Sequence, residues 1–574
     1  MADSELNGEL GKTKGTRIVV IGASAAGMRA ACRARRLMPD ARILVIDSTA
    51  EISVGACGLP YVLAGDIDSG EDLRKTSYDV LRDQAFFENF KGVEVRCGLC
   101  ADRLDLDEKL VEVIDIASGE RMRIDFDKLV LTTGAKAMDP FNIPVDSKRI
   151  RAMKTPRDVR TLKHGLETGQ IESVVVIGGG FIGCETAEAF SAMWGARVTL
   201  IEAMPQVLPG VLDEEMAALV HSQLKEQEVE LVLGKKVMSI EEMDRGVEVM
   251  LESGRKVKAD AAVCALGVVP CTEFGVEAGL NALPNGALIV DEYMQTSHPD
   301  VYAAGDCISV VHCLTGERVY LPLGSLANRH GRLIGDNLAG RRRKAGPITG
   351  SSAVKVFDLN VGRTGLTKAQ AEMLGIECNS VWGTFNDKAH YYPETREIHF
   401  KLVYRTSDMS LLGLQAIGQG EVVREVDVMS SLLQRAANAA DLLDLDTAYA
   451  PPYSGAVSAL HFLGAAVLNA EQDGLRPIPP VSPLNAEKII DVREPSEAGS
   501  HPVESSTAPI LSIPLGKLRS KISDLNKEEN ILFVCARGTR SYEAARMFKN
   551  YGFEHVVYLG GGLSFRRDAS FASL

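Results

Sequence analysis

Two cysteines stand in settings that favour the thiolate, the nucleophilic form of cysteine. Cys57 lies in SVGACGLPYVLAG (53–65), a glycine-flanked segment expected to begin a helix. Cys535 follows the apolar run ILFV and begins the loop CARGTR, which ends at Arg540. A helix N-terminus and converging backbone N–H groups both stabilise a thiolate. We therefore expect both cysteines to act as nucleophiles, with Arg540 closing the second loop.

Two strand–glycine–helix units must position this chemistry. They are RIVVIGASAAGMRAACRARR (17–36) and SVVVIGGGFIGCETAEAF (173–190), and each precedes a strand that ends in an acid, Asp47 or Glu202. Small residues let the backbone approach a pyrophosphate, the helix N-terminus faces its charge, and the acid accepts hydrogen bonds from ribose hydroxyls. The chain therefore predicts two dinucleotide sites. The second turn has all three glycines, whereas the first has Ser24 in place of the middle one.

Length and composition limit the kinds of protein and partner that fit this sequence. The chain has 574 residues, 45% of them hydrophobic and 24% charged, which predicts about three to five globular domains. A net charge of −14 argues against nucleic acid as a partner. The longest apolar run is too short to span a bilayer. Without an export signal, we expect a cytoplasmic protein whose eleven cysteines are thiols.

The CGLC of residues 97–100 has neither a second cysteine pair nor histidines beside it, so we expect no metal site there.

Three further stretches complete an ordered set of motifs: LVLTTGAKA (129–137), AAVCALGVVP (261–270) and HPDVYAAGDCI (298–308). With the two glycine turns, residues 17–465 resemble the pyridine nucleotide–disulfide oxidoreductase family. The resemblance implies an α/β fold with two Rossmann-like dinucleotide-binding domains and an α+β dimerisation domain. It also implies FAD on the first unit, NADH on the second, and a homodimer.

The resemblance carries cofactor roles to individual positions. For FAD these are Gly22, Ala26, Gly27, Asp47, Ser48, Thr133, Gly134, Gly305 and Asp306. For NAD(H) they are Gly178, Gly180, Gly183, Glu202 and Gly267. The Glu202 carboxylate repels a 2′-phosphate, so we expect a higher kcat/KM for NADH than for NADPH.

Cys57 has no partner cysteine in its loop, as in the single-cysteine branch of the family. That branch contains NADH peroxidases and oxidases, coenzyme A–disulfide reductases and NADH-dependent persulfide reductases. Ala25 lies at the position in the first glycine turn where peroxidases and oxidases of this branch have histidine. The motifs AHYYPE and AYAPPYS resemble the paired tyrosines of coenzyme A–disulfide reductases, which reach the other subunit's cysteine. Tyr391 and Tyr449 are the candidates, with the neighbours Tyr392 and Tyr453 as alternatives.

A coenzyme A site needs cations for its phosphates. Arg29, Arg33 and Arg36 share one face of the first helix. The resemblance places coenzyme A contacts at Arg33, Arg36, Ser53, Lys91, Asn328 and Arg332. Ala56 departs from the asparagine that often precedes the cysteine, which puts one substrate hydrogen bond in doubt.

The C-terminal segment forms another α/β pattern. The upstream IIDVRE (489–494) and the C-x-x-G-x-R loop that begins at Cys535 resemble a rhodanese domain. Cysteine-dependent phosphatases have a loop that is one residue longer, so the sequence fits them poorly. An inert rhodanese-like binding module is the alternative. The expected organisation is a disordered 1–16, an FAD domain (17–150 and 261–345), an NAD(H) domain (151–260), a dimerisation domain (346–470), a linker (471–486) and a rhodanese domain (487–574).

Together these features predict a flavin-dependent NADH:persulfide, polysulfide and coenzyme A–disulfide reductase. Cys57 is the redox cysteine, a tyrosine is a candidate proton donor, and Cys535 relays sulfane sulfur. Two alternatives stay open. One is an NADH oxidase or peroxidase that cycles through cysteine sulfenic acid. The other is a flavin-bound redox-sensing or docking protein.

Overall fold

The structure is a computed structural model that describes residues 15–503 and 508–569. The chain divides into two compact units, one of residues 1–178, 192–197 and 237–348, the other of residues 179–191, 198–236 and 349–574. The expected disorder of residues 1–16 concerns a segment that lies outside the described residues except for positions 15 and 16. No helix in 15–503 or 508–569 is long and apolar enough to cross a membrane.

A parallel sheet of five strands forms the core of the first unit. In order across the sheet, its strands are Val301–Ala303, Lys128–Leu131, Arg17–Ile21, Arg42–Asp47 and Glu94–Cys97. The central strands are almost continuous runs of buried Val, Ile and Leu, the composition expected of a parallel sheet covered on both faces. Helix Ala25–Leu37 follows the first strand, as the glycine-turn motif predicts.

A second parallel set in the first unit pairs Ser173–Ile177 with Ala261–Cys264 and the latter with Ile150–Ala152. Smaller sheets contain Leu99–Asp105, Leu110–Asp115 and Arg121–Asp125; Ala135–Ala137 and Val268–Pro270; Leu288–Ile289, Ile308–Val311 and Arg318–Val319; and Val237–Glu242, Val247–Leu251 and Lys256–Ala259. The further α-helices are Leu59–Leu63, Gln84–Phe86, Pro156–Glu167, Glu273–Glu277 and Gly324–Leu338, and Ala56–Gly58 and Asp72–Arg74 are 3₁₀ turns.

The second unit contains a five-stranded antiparallel sheet and a five-stranded parallel sheet. The antiparallel order is Ser352–Val356, Leu359–Gly365, Leu411–Gly418, Glu397–Arg405 and Cys378–Asn386. The parallel order is Pro477–Ile478, Val556–Leu559, Ile531–Val534, Lys488–Asp491 and Ile510–Ser512. Strand Arg197–Glu202 also pairs in parallel with Glu230–Leu233. The α-helices are Phe181–Glu188, Glu214–Glu226, Lys368–Met373, Val422–Leu433, Ala459–Gln472, Pro495–Ser500, Leu515–Leu518, Thr539–Asn550 and Gly562–Asp568.

The expected linker over residues 471–486 requires a correction. Helix Ala459–Gln472 extends into its first residues, and Pro477–Ile478 pairs in parallel with Val556–Leu559. Pro477 heads an edge strand, where its missing N–H costs no ladder bond. The proline-rich composition predicted a connection, whereas part of it is an edge of the C-terminal sheet.

Candidate active site

The candidate nucleophile Cys57 is exposed and lies in the 3₁₀ turn Ala56–Gly58. The helix that follows it, Leu59–Leu63, has only five residues. A longer helix, Gly324–Leu338, begins beside the sulfur, because a Cβ atom added at Gly324 would lie 3.7 Å from Cys57 Sγ. The N-terminus of this helix favours the thiolate. The sequence around Cys57 predicts this effect from the local helix alone. The helix from Gly324 is remote in sequence, and its signal is the long segment GSLANRHGRLIGDNL.

Two glycines fix where this distant helix lies. A Cβ atom at Gly331 would be 2.2 Å from the carbonyl oxygen of Ala26, and one at Gly335 would be 2.5 Å from Arg33 Cβ. The glycines are four residues apart, so they share the face that meets helix Ala25–Leu37. Larger residues at these positions would push the helices apart. The glycine pair therefore helps to set the position of the helix terminus beside Cys57.

A buried ion pair joins the same two helices. Arg33 Nε donates to Asp336 Oδ1 over 2.8 Å, and Arg33 NH2 lies 2.6 Å from that oxygen. Burial alone would raise the pKa of Asp336, but Arg33 and Arg343 outweigh it and lower the pKa. The Arg33 guanidinium is therefore already engaged within the chain. Its predicted contact with coenzyme A stays a prediction, and any such contact must share this cation with Asp336.

Two further cations predicted to contact coenzyme A lie near each other. Burial raises the pKa of the Cys32 thiol, while the charges of Lys91, Arg36 and Arg29 oppose that rise. Lys91 Nζ also lies 5.0 Å from the centroid of the Phe86 ring. Arg36 and Lys91 therefore both act electrostatically on Cys32, and their contacts with coenzyme A stay predictions.

The remaining predicted coenzyme A residues lie in the cysteine loop and on the distant helix. Ser53 is buried in a left-handed conformation, with φ at 57°, and its N–H donates to the carbonyl of Ala23. Asn328 is exposed on helix Gly324–Leu338, and its Nδ2 donates to the Gly324 carbonyl over 3.0 Å. Arg332 is exposed one turn further along. Asn328 and Cys57 thus share Gly324 as a neighbour.

The first glycine turn has the shape that a pyrophosphate-binding turn requires. Gly22 has φ at 105°, and a Cβ atom there would lie 2.1 Å from the carbonyl oxygen of Thr132. A Cβ atom at Gly27 would lie 1.9 Å from the Gly22 carbonyl oxygen. Asp47 Oδ2 accepts a hydrogen bond of 2.7 Å from the N–H of Ala23, at the end of the second strand. The acid is thus held where the motif predicts a ribose contact.

Unsatisfied groups in the first unit fit the FAD that the motifs imply. The Thr133 hydroxyl is buried and has no hydrogen-bond partner among the described residues. Burial raises the pKa of Asp306, so its carboxylate is poorly compensated. A ribityl or ribose hydroxyl would satisfy both groups. Gly305, with φ at 86°, leaves a Cβ position 3.4 Å from Ala26 Cβ. Gly134 likewise has a positive φ, 65°, and Ser48 is exposed.

The residues predicted to bind NAD(H) fall in both units. In the first unit, Gly178 has φ at 105°, and a Cβ atom there would lie 2.3 Å from the carbonyl oxygen of Ala265. Gly267 has φ at 94°. Both conformations favour glycine because a Cβ atom is strained at such angles.

In the second unit, Glu202 is 8% exposed at the end of its strand. Its Oε2 accepts from the N–H of Gly179 over 2.7 Å, and its Oε1 accepts from the N–H of Met204 over 2.8 Å. Gly180 caps helix Phe181–Glu188, which contains the buried Gly183. The carboxylate is thus fixed by two backbone donors, which supports the expected preference for NADH.

The structure brings the two predicted tyrosines together. The hydroxyl oxygens of Tyr391 and Tyr449 lie 3.2 Å apart, and both side chains are exposed. The hydrogen bond with Tyr391 raises the pKa of Tyr449, so the phenol stays protonated at neutral pH. Tyr392 and Tyr453 are also exposed, at 36% and 71%. The two motifs are 58 residues apart in sequence, and only the fold makes them neighbours.

The second candidate nucleophile, Cys535, lies between strand Ile531–Val534 and helix Thr539–Asn550. Its sulfur accepts hydrogen bonds from the N–H groups of Gly538, over 3.2 Å, and Ser541, over 3.3 Å. These donors stabilise a thiolate and a persulfide in the way that the loop motif predicts. The residue is 1% exposed, so only a protruding terminal sulfur of a donor can reach it.

Arg540, predicted to close this loop, forms a bidentate ion pair. Its NH1 and NH2 each lie 2.6 Å from one oxygen of Glu497. The hydrogen bonds from Arg540 lower the pKa of Glu497 to about 2. Glu497 is 43 residues from Arg540 in the sequence, and no motif connects the two positions.

The two cysteines of the CGLC segment lie on consecutive strands. Cys97 ends one strand, Cys100 lies in the next, and Gly98 turns the chain between them with φ at 79°. Within residues 15–503 and 508–569, no group of His, Cys, Asp and Glu could hold a metal ion.

Comparison with known proteins gives three matched regions. Residues 16–331 match the pyridine nucleotide-disulphide oxidoreductase family, residues 351–461 its dimerisation domain, and residues 481–564 the rhodanese-like domain. An NAD(P)H sulfur oxidoreductase (CoA-dependent) from Pyrococcus furiosus is 34% identical over 76% of this chain and 96% of its own.

Two solved structures are similar to this chain over nearly its whole length. An NAD-dependent persulfide reductase from A. fulgidus has a TM-score of 0.90 at 35% identity, covering 96% of this chain and 99% of its own. A Bacillus anthracis CoADR-RHD has a TM-score of 0.87 at 30% identity, covering 97% and 98%. These matches confirm the predicted family and fold class. The chain belongs to the pyridine nucleotide–disulphide oxidoreductase family, with a dimerisation domain and a C-terminal rhodanese-like domain following the reductase core.

Proposed function

We propose that this protein is an FAD-dependent NADH:persulfide and coenzyme A–disulfide reductase whose rhodanese domain relays sulfane sulfur. The observation that carries the proposal is the exposed Cys57 sulfur at the N-terminus of helix Gly324–Leu338. Its loop holds no second cysteine, so the thiol that resolves the adduct must belong to the substrate. The relatives named for sulfur, persulfide and CoA–disulfide reduction support this substrate class.

At Cys57, the thiolate attacks the outer sulfur of a persulfide R–S–SH. The Cys57–S bond forms, the S–S bond of the persulfide breaks, and R–S⁻ leaves with the electron pair of that bond. With coenzyme A disulfide, the thiolate attacks one sulfur and coenzyme A thiolate leaves. Each adduct then takes up two electrons, which releases HS⁻ or coenzyme A thiolate and restores the Cys57 thiolate.

FAD, when bound at the first glycine turn, supplies those two electrons from NADH. Gly22, Gly27 and Asp47 would hold its pyrophosphate and ribose, and Asp306 its ribityl chain. Glu202 would hold the ribose hydroxyls of NADH and repel the 2′-phosphate of NADPH. The same chain thus binds the electron donor and presents the thiolate that receives the electrons.

The tyrosine pair is the candidate proton donor. We infer a homodimer from the dimerisation domain, in which Tyr391 and Tyr449 reach Cys57 of the other subunit. Both phenols are exposed and share one hydrogen bond. A neutral phenol in this arrangement can protonate the leaving R–S⁻ as it departs.

Phenylalanine substitution of the pair tests this role. We expect Tyr391→Phe and Tyr449→Phe to lower kcat about 10- to 100-fold, because general acid catalysis is lost. The loss should shrink for substrates whose leaving thiol has a low pKa, a dependence that a purely structural role would not produce. Tyr551→Phe removes an exposed hydroxyl of the same unit that has no proposed role in reduction, and it should retain the wild-type rate. Equal rates in all three variants would contradict the assignment.

Cys535 would carry sulfane sulfur to the reductase. The hydrogen bonds from Gly538 and Ser541 hold its sulfur ready to accept a terminal sulfur atom as Cys535–S–SH. Such a carrier serves donors too bulky to bring their own sulfur to Cys57. The fusion of the two domains in one chain supports a shared substrate.

A substrate panel under anaerobic conditions tests the proposed function. The acceptors are coenzyme A disulfide, coenzyme A persulfide, glutathione persulfide and polysulfide, with NADH oxidation and sulfide release both measured. We expect one sulfide per NADH with each persulfide, and two coenzyme A thiols per NADH with coenzyme A disulfide. Faster NADH consumption with oxygen or peroxide would instead assign the oxidase or peroxidase chemistry of cysteine sulfenic acid. Negligible turnover with every acceptor would favour a docking protein.

A further inference from the structure

Both arginines of the Cys535 loop are neutralised by carboxylates. Arg540 pairs with Glu497, at 2.6 Å for each of two bonds. Arg537 pairs with Glu397: Arg537 Nε donates to Glu397 Oε1 over 2.7 Å, and its NH2 lies 2.6 Å from the same oxygen. Glu397 begins strand Glu397–Arg405 of the dimerisation domain rather than any rhodanese element. A residue of the reductase part therefore contacts the sulfur-transfer loop.

A second connection holds the same strand close to the loop. His399, two residues beyond Glu397, is buried, and its Nε2 lies 3.0 Å from Asp568 Oδ2. The hydroxyl of Thr384, on the adjacent strand, lies 2.9 Å from His399 Nδ1 and donates to the carbonyl of Gly561 over 2.7 Å. Gly561 caps the N-terminus of helix Gly562–Asp568, and Asp568 is its last residue. Both ends of that helix are thus tied to the dimerisation domain.

The same helix supports the backbone of the cysteine loop. The N–H of Leu563 donates to the Cys535 carbonyl over 2.9 Å, and the N–H of Ser564 donates to the Ala536 carbonyl over 2.8 Å. A Cβ atom at Gly562 would lie 2.4 Å from the Ala536 carbonyl oxygen, so the contact is close. The position of Glu397 relative to Arg537 is therefore fixed by packing on both sides of the pair.

The local charge does not suit a dianion. Glu494 also acts on Arg540 electrostatically, and Arg493 acts on Glu497 but is itself paired with Asp491. Four carboxylates therefore face three guanidinium groups around the loop. Arg537 and Glu397 are partly exposed, at 40% and 27%, so an incoming donor meets this charge directly. The reacting group of thiosulfate carries two negative charges, whereas the reacting –S–SH group of a thiol persulfide is neutral or singly charged. Like charge disfavours the former more strongly.

We propose that Glu397 is a specificity-determining residue that directs the Cys535 loop towards thiol persulfides and away from thiosulfate. The proposal deepens the proposed role of Cys535 as a sulfur carrier and rests on it. Glu397 acts through Arg537, whose charge it holds and neutralises. It is therefore a positioning residue, supplied to the sulfur-transfer domain by the dimerisation domain.

Either donor gives a balanced transfer. The Cys535 thiolate attacks the terminal sulfur of R–S–SH, the Cys535–S bond forms, the S–S bond of the persulfide breaks, and R–S⁻ leaves with its electron pair. With thiosulfate, the S–SO₃ bond breaks and sulfite leaves with the electron pair, so Cys535–S–S⁻ results. Cyanide added as an acceptor then takes the outer sulfur as thiocyanate and restores the thiolate.

The test compares the two donors on the full-length protein, with cyanide as acceptor and thiocyanate measured. Glu397→Gln should raise kcat/KM for thiosulfate about threefold to tenfold relative to glutathione persulfide, the size expected of one partly exposed charge. The gain should shrink as salt concentration rises. Glu397→Asp should restore most of the wild-type ratio, and Arg537→Gln combined with Glu397→Gln should abolish the gain. Glu372→Gln, which removes an exposed carboxylate paired with Lys368, is the matched control.

The outcomes separate this inference from the proposed function. An unchanged donor ratio in Glu397→Gln, with Cys535-dependent transfer intact, overturns the inference alone. Thiocyanate formation that survives in Cys535→Ser overturns the sulfur-carrier role on which it rests. If Glu397→Gln does not fold, the ratio in Arg537→Gln decides. Arg537→Gln leaves Glu397 without its partner, so it should lower kcat/KM for thiosulfate more than kcat/KM for glutathione persulfide. An equal loss for both donors would contradict the inference.

Discussion

Cys57→Ser is expected to lower kcat for persulfide- and coenzyme A–disulfide-dependent NADH oxidation by at least about 10³-fold, because the nucleophile is lost. The hydroxyl of serine is not ionised at neutral pH and forms no sulfur–sulfur bond. The variant should still bind FAD, since the residues assigned to the cofactor lie in the glycine turns and at Asp306. The measurement is anaerobic NADH oxidation with sulfide release, on protein whose flavin content has been determined from its absorbance.

Cys100→Ser is the matched control for this variant. Cys100 is also exposed and lies in the same unit, on strand Leu99–Asp105, so the chemical change is the same at a site with no proposed role. Its rate should stay within about twofold of wild type, as for most surface substitutions. Turnover of Cys57→Ser above a tenth of the wild-type rate would show that another group receives the electrons.

Cys535→Ser is expected to lower sulfur transfer from thiosulfate or protein persulfides by at least about 10³-fold. Small persulfides that reach Cys57 directly should still be reduced. The loop should keep its shape, since Gly538 and Ser541 can donate to a hydroxyl oxygen as they do to the sulfur. The measurement combines thiocyanate formation with mass spectrometry, which detects the one additional sulfur atom of Cys535–S–SH in the wild-type protein.

Cys378→Ser controls for this second substitution. Cys378 lies in the same unit on strand Cys378–Asn386, and its sulfur is partly buried. It should retain both sulfur transfer and reduction. If Cys535→Ser retains both activities as well, the relay is wrong and the rhodanese domain has a binding role.

The sequence by itself determined the family and the fold class, and it predicted the two cysteines that we propose as nucleophiles. The glycine turns could be recognised in the sequence because a dinucleotide site needs small residues at fixed spacing between a buried strand and a helix. All of these features are local in sequence. The Cys535 loop could be recognised for the same reason, since its N–H donors come from the six residues that follow Cys535. Composition was less reliable at the linker, where prolines marked a sheet edge at Pro477–Ile478.

Only the tertiary structure decided which distant groups meet these motifs. The helix terminus beside Cys57 comes from Gly324, and its position depends on the packing of Gly331 and Gly335 against another helix. The Arg33–Asp336 and Arg537–Glu397 pairs join residues that no local spacing connects. The physical reason is that a charge needs a partner within a few ångströms in space, at any separation in sequence. Motif spacing therefore predicts the chemistry, and packing decides its electrostatic surroundings.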